Sequence, residues 1–134
     1  MKGTALVSIV DDDESIRIGL SRLLKSVGFD VDIFASGEAF LDSGDLQASA
    51  CLILDLRMPG MSGLELQRRL ISCNCQVPII FLTAHNDEQA RAQAIRAGAI
   101  DFLVKPFREE SLIRYINLAV DQHRLRSTNC RSRS

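Results

Sequence analysis

The sequence predicts an α/β fold in which five βα units form one doubly wound, five-stranded parallel sheet with strand order 2-1-3-4-5. Short apolar runs alternate with helical patterns along the 134 residues, which is typical of a parallel sheet covered by helices on both faces. The run 29–34 alternates between apolar and polar residues, whereas the other runs are largely apolar. Alternation indicates a half-exposed strand, so the second strand is expected at an edge.

The first half of the chain predicts two βα units. Residues 5–10 form the first strand, and the following helix, 14–27, ends before Gly28, where a positive φ is easily adopted. Residues 29–34 form the second strand, and Ser36 caps a short helix that continues to about residue 42. The residues expected on the apolar face of the first helix are Ile16, Leu20, Leu23, Leu24 and Val27.

The second half predicts three more units. Residues 51–55 and 79–83 are strands, and Ser62 opens a capping box for a helix that runs to about residue 72. Asn86 or Asp87 caps a helix through residue 97, and residues 102–104 form a short last strand. The last helix begins near Glu109 and Glu110 and turns five apolar residues inward: Leu112, Ile113, Ile116, Ala119 and Val120.

Residues suited to phosphate and metal chemistry follow four of the predicted strands. Because the carboxyl ends of parallel strands meet at one edge of the sheet, these residues are expected to form one site near the point where the strand order reverses. Taken singly, each has a simpler explanation as a helix cap, turn residue, strand residue or solvated charge. Their shared placement favours the site. They are Asp11, Asp12 and Asp13 after the first strand, Asp55 after the third, Thr83 at the end of the fourth and Lys105 after the fifth.

Bringing Asp11, Asp12 and Asp55 together creates repulsion that a cation would relieve. Carboxylate oxygens without histidine or thiolate suit Mg²⁺, which keeps water positions open to a phosphoryl oxygen. Asp55 is then placed as a nucleophile towards phosphorus, and Lys105 and Thr83 are placed to stabilise the phosphoryl oxygens. Asp13 is instead expected to cap the first helix.

Four stretches carry a close resemblance to a known family. They are residues 9–14, 54–63, 82–85 and 97–107. On these stretches, the chain over residues 4–123 resembles the CheY-like receiver domain of two-component response regulators, and its motifs are most similar to those of the FixJ-type branch.

The resemblance implies a role for each site residue. Asp55 accepts phosphate from a phosphohistidine on a sensor histidine kinase. Asp12 binds Mg²⁺ directly, Asp11 acts largely through water, and the backbone carbonyl of Arg57 completes the protein ligands. Lys105 pairs with the phosphoryl group. Such a protein catalyses only its own phosphorylation and dephosphorylation, so we expect a signalling protein rather than an enzyme.

The resemblance also implies a switch. Thr83 and Phe102 change position on phosphorylation, and the face made by helix 4, strand 5 and helix 5 carries the signal, with a homodimer as the expected result.

The Lys105–Pro106 bond is expected to be cis. Arg57 and His85, two residues beyond Asp55 and Thr83, are expected to tune the lifetime of the phosphate.

The domain division predicted from composition is a receiver at 1–123 and a basic linker stub or cloning remnant at 124–134. The last eleven residues carry four arginines and no acid, which leaves residues 1–123 with 12 basic and 17 acidic residues. Such an acidic body is not expected to bind DNA, except through an output domain that this chain lacks. The N-terminus resembles neither a signal peptide nor a membrane span, so a cytoplasmic location without membrane contact is expected.

Three alternatives remain open at this point. The chain could be a stand-alone signalling receiver rather than part of a transcription regulator. A haloacid dehalogenase-type phosphatase would use Asp11 as its nucleophile, but it leaves the stretch from Asp55 to Pro59 unexplained. A flavodoxin-like electron carrier shares the strand order, but the acidic run 11–13 would repel a flavin phosphate.

Overall fold

The computed structural model describes the backbone of residues 5–133 and the side chains through Leu125. Strands and helices alternate, with one short 3₁₀ turn at Leu46–Ala48. The elements are β1 (Leu6–Val10), α1 (Glu14–Ser26), β2 (Asp30–Phe34), α2 (Gly37–Leu41), β3 (Cys51–Leu54), α3 (Gly63–Ser72), β4 (Ile79–Thr83), α4 (Glu88–Arg96), β5 (Asp101–Val104) and α5 (Glu109–Arg133).

The five strands form one parallel sheet in the order β2-β1-β3-β4-β5, which confirms the predicted fold class and strand order. Strand β1 pairs with β2 on one side and β3 on the other, so that Val7 lies between Val31 and Cys51. The β2 strand lies at an edge and is largely exposed, as its alternating sequence predicts. Strand β3 is buried along its whole length.

Each face of the sheet carries its own apolar core. One face is covered by α2, α3 and α4, for example through Phe40 and Leu66, while the other is covered by α1 and α5, for example through Leu24 and Ile116. This two-sided cover explains why the central strands are almost entirely apolar, with Ser8 in β1 and Thr83 at the end of β4 as their buried polar residues.

The helices begin where the sequence predicts caps. The Asp13 side chain accepts a hydrogen bond from the Ser15 N–H at 2.9 Å, and Ser62 accepts one from the Glu65 N–H at 3.2 Å. Of the two candidates before α4, Asp87 is the cap. Gly28 ends the turn after α1 with a φ of 102°, a conformation that suits glycine.

Two details differ from the sequence prediction. Val27, expected on the buried face of α1, is the residue that ends the helix and is 49% exposed, because the helix stops one residue earlier. Helix α5 continues to Arg133, so the predicted tail at 124–134 is helical as far as the structure describes it. Ser134 and the side chains from residue 126 lie outside the described part, and the division at residue 123 stays a prediction. Within the described residues, no helix is both long and apolar enough to cross a bilayer.

Candidate functional site

Three carboxylates meet at the carboxyl ends of β1 and β3. Asp11, Asp12 and Asp55 each place one oxygen within 4.8 Å of the others. Asp11 is buried, Asp55 is partly buried and Asp12 is exposed, so the cluster opens to solvent on one side. The structure therefore brings together the acidic residues that the sequence placed at this edge.

The sheet itself fixes this cluster. The ladder continues beyond the strands, because the Asp55 N–H donates to the Val10 carbonyl at 3.0 Å and the Asp11 N–H donates to the Phe34 carbonyl at 3.2 Å. The Asp11 carboxylate also accepts a hydrogen bond from the Asp13 N–H at 2.9 Å. These contacts hold Asp11 and Asp55 in a defined geometry before any ligand binds.

Lys105 reaches the same cluster from the carboxyl end of β5, an outer strand of the sheet. Its side-chain Nζ lies 3.7 Å from Oδ2 of Asp11. Its backbone N–H donates to the Thr83 backbone carbonyl at 2.8 Å. The Lys105–Pro106 peptide bond is cis, as predicted. Lys105 thus lies at the end of β5 with its ammonium directed towards β1.

The environment favours the neutral forms of two of the carboxyls. Burial, followed by the negative charge of Asp11, raises the pKa of Asp55 from 3.8 to about 6. The positive charge of Lys105 and the backbone N–H of Arg57 lower this pKa and so oppose the shift. Burial also raises the pKa of Asp11. Ionisation of either group therefore costs free energy, and a bound cation would lower that cost.

Thr83 and Phe102 lie next to each other on β4 and β5. Thr83 is fully buried, and its Oγ1 accepts a hydrogen bond from the His85 N–H at 3.2 Å. Phe102 is 2% exposed and packs on Phe81 with ring centroids 6.0 Å apart. The ring of Phe102, the aromatic residue of the predicted switch, is therefore already buried in this structure.

Arg57 and His85 both have exposed side chains on the loops beside the cluster. The Arg57 guanidinium lies 3.5 Å from the Asp87 carboxylate at the start of α4. Sequence reasoning assigned Asp87 only a capping role and missed this pair. It also missed Arg17, whose Nη1 donates to the Asp11 backbone carbonyl at 2.7 Å. For both arginine contacts, the sequence offered one weak indication, which was an arginine close in sequence to an acidic residue of the site.

The donor set suits Mg²⁺. Three carboxylates converge without any histidine or thiolate among them, and hard oxygen ligands are the ones that Mg²⁺ prefers. Their mutual repulsion, relieved only in part by Lys105, supplies a reason for a cation to bind.

Comparison with known proteins identifies the family. The model of the response regulator receiver domain matches residues 7–117. The response regulator protein TmoT of Ectopseudomonas mendocina is 48% identical over 116 residues, which are 87% of this chain and 53% of that protein. The transcriptional regulatory protein FixJ of Bradyrhizobium diazoefficiens is 38% identical over 87% of this chain and 57% of its own length. This chain thus spans about half the length of these curated relatives.

Solved structures agree. The response regulator StyR superposes with a TM-score of 0.88 at 40% identity, over 98% of this chain and 66% of that one. FixJ-N superposes with a TM-score of 0.81 at 40% identity, over 90% of this chain and 96% of that one. With the same five-stranded sheet and the acidic cluster at its carboxyl edge, this chain belongs to the response regulator receiver domain family of two-component signalling.

Proposed function

We propose that Asp55 is the phosphoacceptor of this receiver. The observation that carries the proposal is the position of its carboxylate at the end of β3, with oxygens of Asp11 and Asp12 within 4.8 Å. Lys105 approaches the same cluster through Asp11. Of the three clustered carboxylates in the described part of the chain, Asp55 is the one that is partly buried.

The reaction proposed is the transfer of a phosphoryl group from a phosphohistidine of a sensor histidine kinase. An Asp55 oxygen forms the new O–P bond while the P–N bond breaks, and the electron pair of that bond goes to the imidazole nitrogen, which takes up a proton. The Lys105 ammonium and the Thr83 hydroxyl stabilise the oxygens of the transferring group. Water later attacks phosphorus, the bond between the Asp55 oxygen and phosphorus breaks with its electron pair returning to the carboxylate, and inorganic phosphate leaves with the proton that water loses.

The Mg²⁺ ion would be held by Asp12, Asp11, Asp55 and the backbone carbonyl of Arg57. When bound, Mg²⁺ supplies positive charge that offsets the repulsion between the carboxylates and the phosphoryl oxygens. Asp12 is the exposed member and is proposed as a direct ligand, while the buried Asp11 acts largely through water. Arg57 and His85 flank the opening and are proposed to affect the lifetime of the phosphate.

The proposed output is a change in the face formed by α4, β5 and α5, signalled through Thr83 and Phe102 and leading to a homodimer. Relatives such as FixJ are named transcriptional regulatory proteins, and the matched segment is 57% of the length of FixJ. We therefore propose that residues 1–123 are the receiver of a transcription regulator whose DNA-binding part lies outside this chain. A stand-alone receiver is the alternative.

Labelling with a small phosphodonor tests the assignment of Asp55. Wild type incubated with acetyl phosphate and Mg²⁺ should gain one phosphoryl group by intact mass, and Asp55→Asn should gain none. Asp13→Asn is the matched control, because Asn keeps the helix cap, and it should label like wild type. Phosphate on Asp11 instead would contradict the proposal and favour the dehalogenase-type alternative.

A further inference from the structure

Arg57 and Asp87 connect the phosphorylation site to the start of α4. One oxygen of the Asp87 carboxylate, Oδ2, lies 3.5 Å from Nη2 of Arg57. The other oxygen, Oδ1, accepts a hydrogen bond from the Ala90 N–H at 3.0 Å and caps the helix. One carboxylate therefore holds both the first turn of α4 and the arginine two residues beyond Asp55.

Arg57 has a second anion nearby. Its backbone N–H is close enough to the Asp55 carboxylate to lower the pKa of that group, so the arginine side chain starts beside the proposed phosphoacceptor. A phosphoryl group there would carry more negative charge than the carboxylate and offer three acceptor oxygens. Arginine forms strong charge-assisted hydrogen bonds with such groups. The same guanidinium can therefore be drawn towards Asp87 or towards a phosphorylated Asp55.

We propose that Asp87 is a positioning residue that holds the Arg57 guanidinium at the start of α4 until a phosphoryl group on Asp55 competes for it. This partner exchange rests on Asp55 being the phosphoacceptor, as proposed above. Its consequence is that phosphorylation removes one of the contacts that hold the first turn of α4.

The contact with Asp87 is weak enough to be exchanged. The side chains of Arg57 and Asp87 are 58% and 36% exposed, and ion pairs open to solvent contribute little stability. A phosphoryl group in the partly buried cluster is a stronger competitor, because its charge is less screened there. The exchange therefore favours the phosphorylated site without requiring a large rearrangement.

Helix α4 is built to respond to that loss. It buries only Ala90 and Ala94, so its apolar anchorage is small. Its far end is held separately, since Nε2 of the buried Gln67 donates to the Ala94 carbonyl at 3.1 Å. When Arg57 leaves Asp87, the first turn loses this contact and keeps only the packing of the buried Ala90 and the ion pair of Arg91 with Asp101, while the last turn stays attached. The loss therefore favours a tilt of α4 about its carboxyl end.

A double-mutant cycle tests the exchange. Binding of beryllofluoride, a phosphoryl analogue, is measured by ¹⁹F NMR with saturating Mg²⁺ in wild type, Asp87→Asn, Arg57→Gln and the double variant. Asn keeps the helix cap but loses the charge. We expect Asp87→Asn to bind the analogue about two- to fivefold more tightly, because the guanidinium is released, and Arg57→Gln to bind it more weakly. In the Arg57→Gln background, Asp87→Asn should change the affinity no more than the loss of one charge from this turn does, as measured with Glu88→Gln.

Glu88→Gln is the matched control, because it removes one negative charge from the same turn of α4. Its effect on affinity should be the same with and without Arg57. If Asp87→Asn strengthens binding equally in both backgrounds, Asp87 acts only through its charge and the exchange is wrong. The Ala90 amide resonance reports whether the cap survives, and Asp87→Ser replaces Asp87→Asn if it does not. Failure of wild type to bind beryllofluoride would instead contradict the phosphoacceptor site itself.

Discussion

The ammonium of Lys105 lies 3.7 Å from Oδ2 of Asp11, so the last strand places a positive charge against a buried carboxylate of the acidic cluster. This charge lowers the pKa of Asp11 and of Asp55, in opposition to burial, which raises both. Lys105 therefore offsets part of the repulsion that a metal ion would offset further. It is also expected to interact with a phosphoryl group once one is bound.

Replacing Lys105 by Gln should raise the pKa of Asp55 above its value of about 6, because the opposing positive charge is lost. Mg²⁺ should bind more tightly, since it no longer competes with the ammonium, while beryllofluoride should bind more weakly. A ¹³C NMR titration of the aspartate carboxyls measures the pKa. Lys25→Gln, in the last turn of α1, is the control. It should leave the pKa of Asp55, the affinity for Mg²⁺ and the affinity for beryllofluoride unchanged.

The adjacent residues Asp12 and Asp13 should separate metal binding from helix capping. Asp12→Asn should weaken Mg²⁺ binding about tenfold or more and reduce the rise in Tm that Mg²⁺ produces. Asp13→Asn should retain both, because Asn can replace the cap that now accepts from the Ser15 N–H. NMR titration is the suitable measurement, since the chain has no tryptophan. Equal losses in the two variants would refute the choice of Asp12 as ligand.

Asp55 should reduce the stability of the fold at neutral pH. Its folded pKa of about 6 lies above the ordinary 3.8, so the folded chain binds the proton more firmly than the unfolded chain. Stability is therefore expected to fall as pH rises through this interval and to stay reduced above it. In EDTA at pH 7.5, Asp55→Asn should be more stable by about 1–2 kcal/mol after allowance for solvent screening.

Denaturant unfolding followed by circular dichroism gives this difference, and the same comparison near pH 3 should show almost none. Mg²⁺ should reduce the difference at pH 7.5, because it neutralises the carboxylates of wild type. A less stable Asp55→Asn variant in EDTA at pH 7.5 would mean that burial of this carboxylate does not disfavour its charged form.

The sheet and the acidic cluster could be predicted because their signals are local. Apolar runs mark the strands, and the polar residue after each run marks its carboxyl end, as at Asp11 and Asp55. Parallel topology then places these ends at one edge, which the structure confirms through the register of β1 with β3. The fold class thus determines most of the site without any knowledge of side-chain contacts.

Contacts between elements that are distant in sequence could not be predicted in this way. The pair formed by Arg57 and Asp87 depends on how the loop after β3 meets the start of α4. The hydrogen bond from Gln67 to the Ala94 carbonyl depends on how α3 packs against α4. The helical continuation of α5 to Arg133 was missed for a different reason, because residues 124–134 show no apolar periodicity.

Gly63 should be essential to the loop that carries Asp55. A Cβ at this first residue of α3 would collide with the Asp55 backbone carbonyl and lie 3.0 Å from the Phe81 ring. Gly63→Ala should therefore destabilise the fold by about 1–3 kcal/mol and shift the Asp55 amide resonance. Gly19→Ala is the control, because a Cβ on this exposed residue of α1 meets nothing within 4 Å. It should stabilise by about 0.5–1 kcal/mol, as measured by urea unfolding.

The final prediction concerns Thr83, whose buried hydroxyl accepts a hydrogen bond from the His85 N–H in this structure. A phosphoryl group on Asp55 would offer a charged acceptor, and the hydroxyl can donate to it through a stronger, charge-assisted bond. The loop after β4 would then follow, next to the already buried Phe102. A bias of a few kcal/mol between two arrangements is enough to shift the population heavily.

Thr83→Ala should therefore still accept phosphate but lose much of the phosphorylation-dependent dimerisation. Thr83→Ser is the matched control, because it keeps the hydroxyl and should dimerise like wild type. Sedimentation of each protein with and without beryllofluoride measures the dimer. If wild type stays monomeric at high concentration with beryllofluoride bound, the face formed by α4, β5 and α5 does not pair with a second copy. If Thr83→Ala dimerises as fully as Thr83→Ser, the signal reaches the face without this hydroxyl.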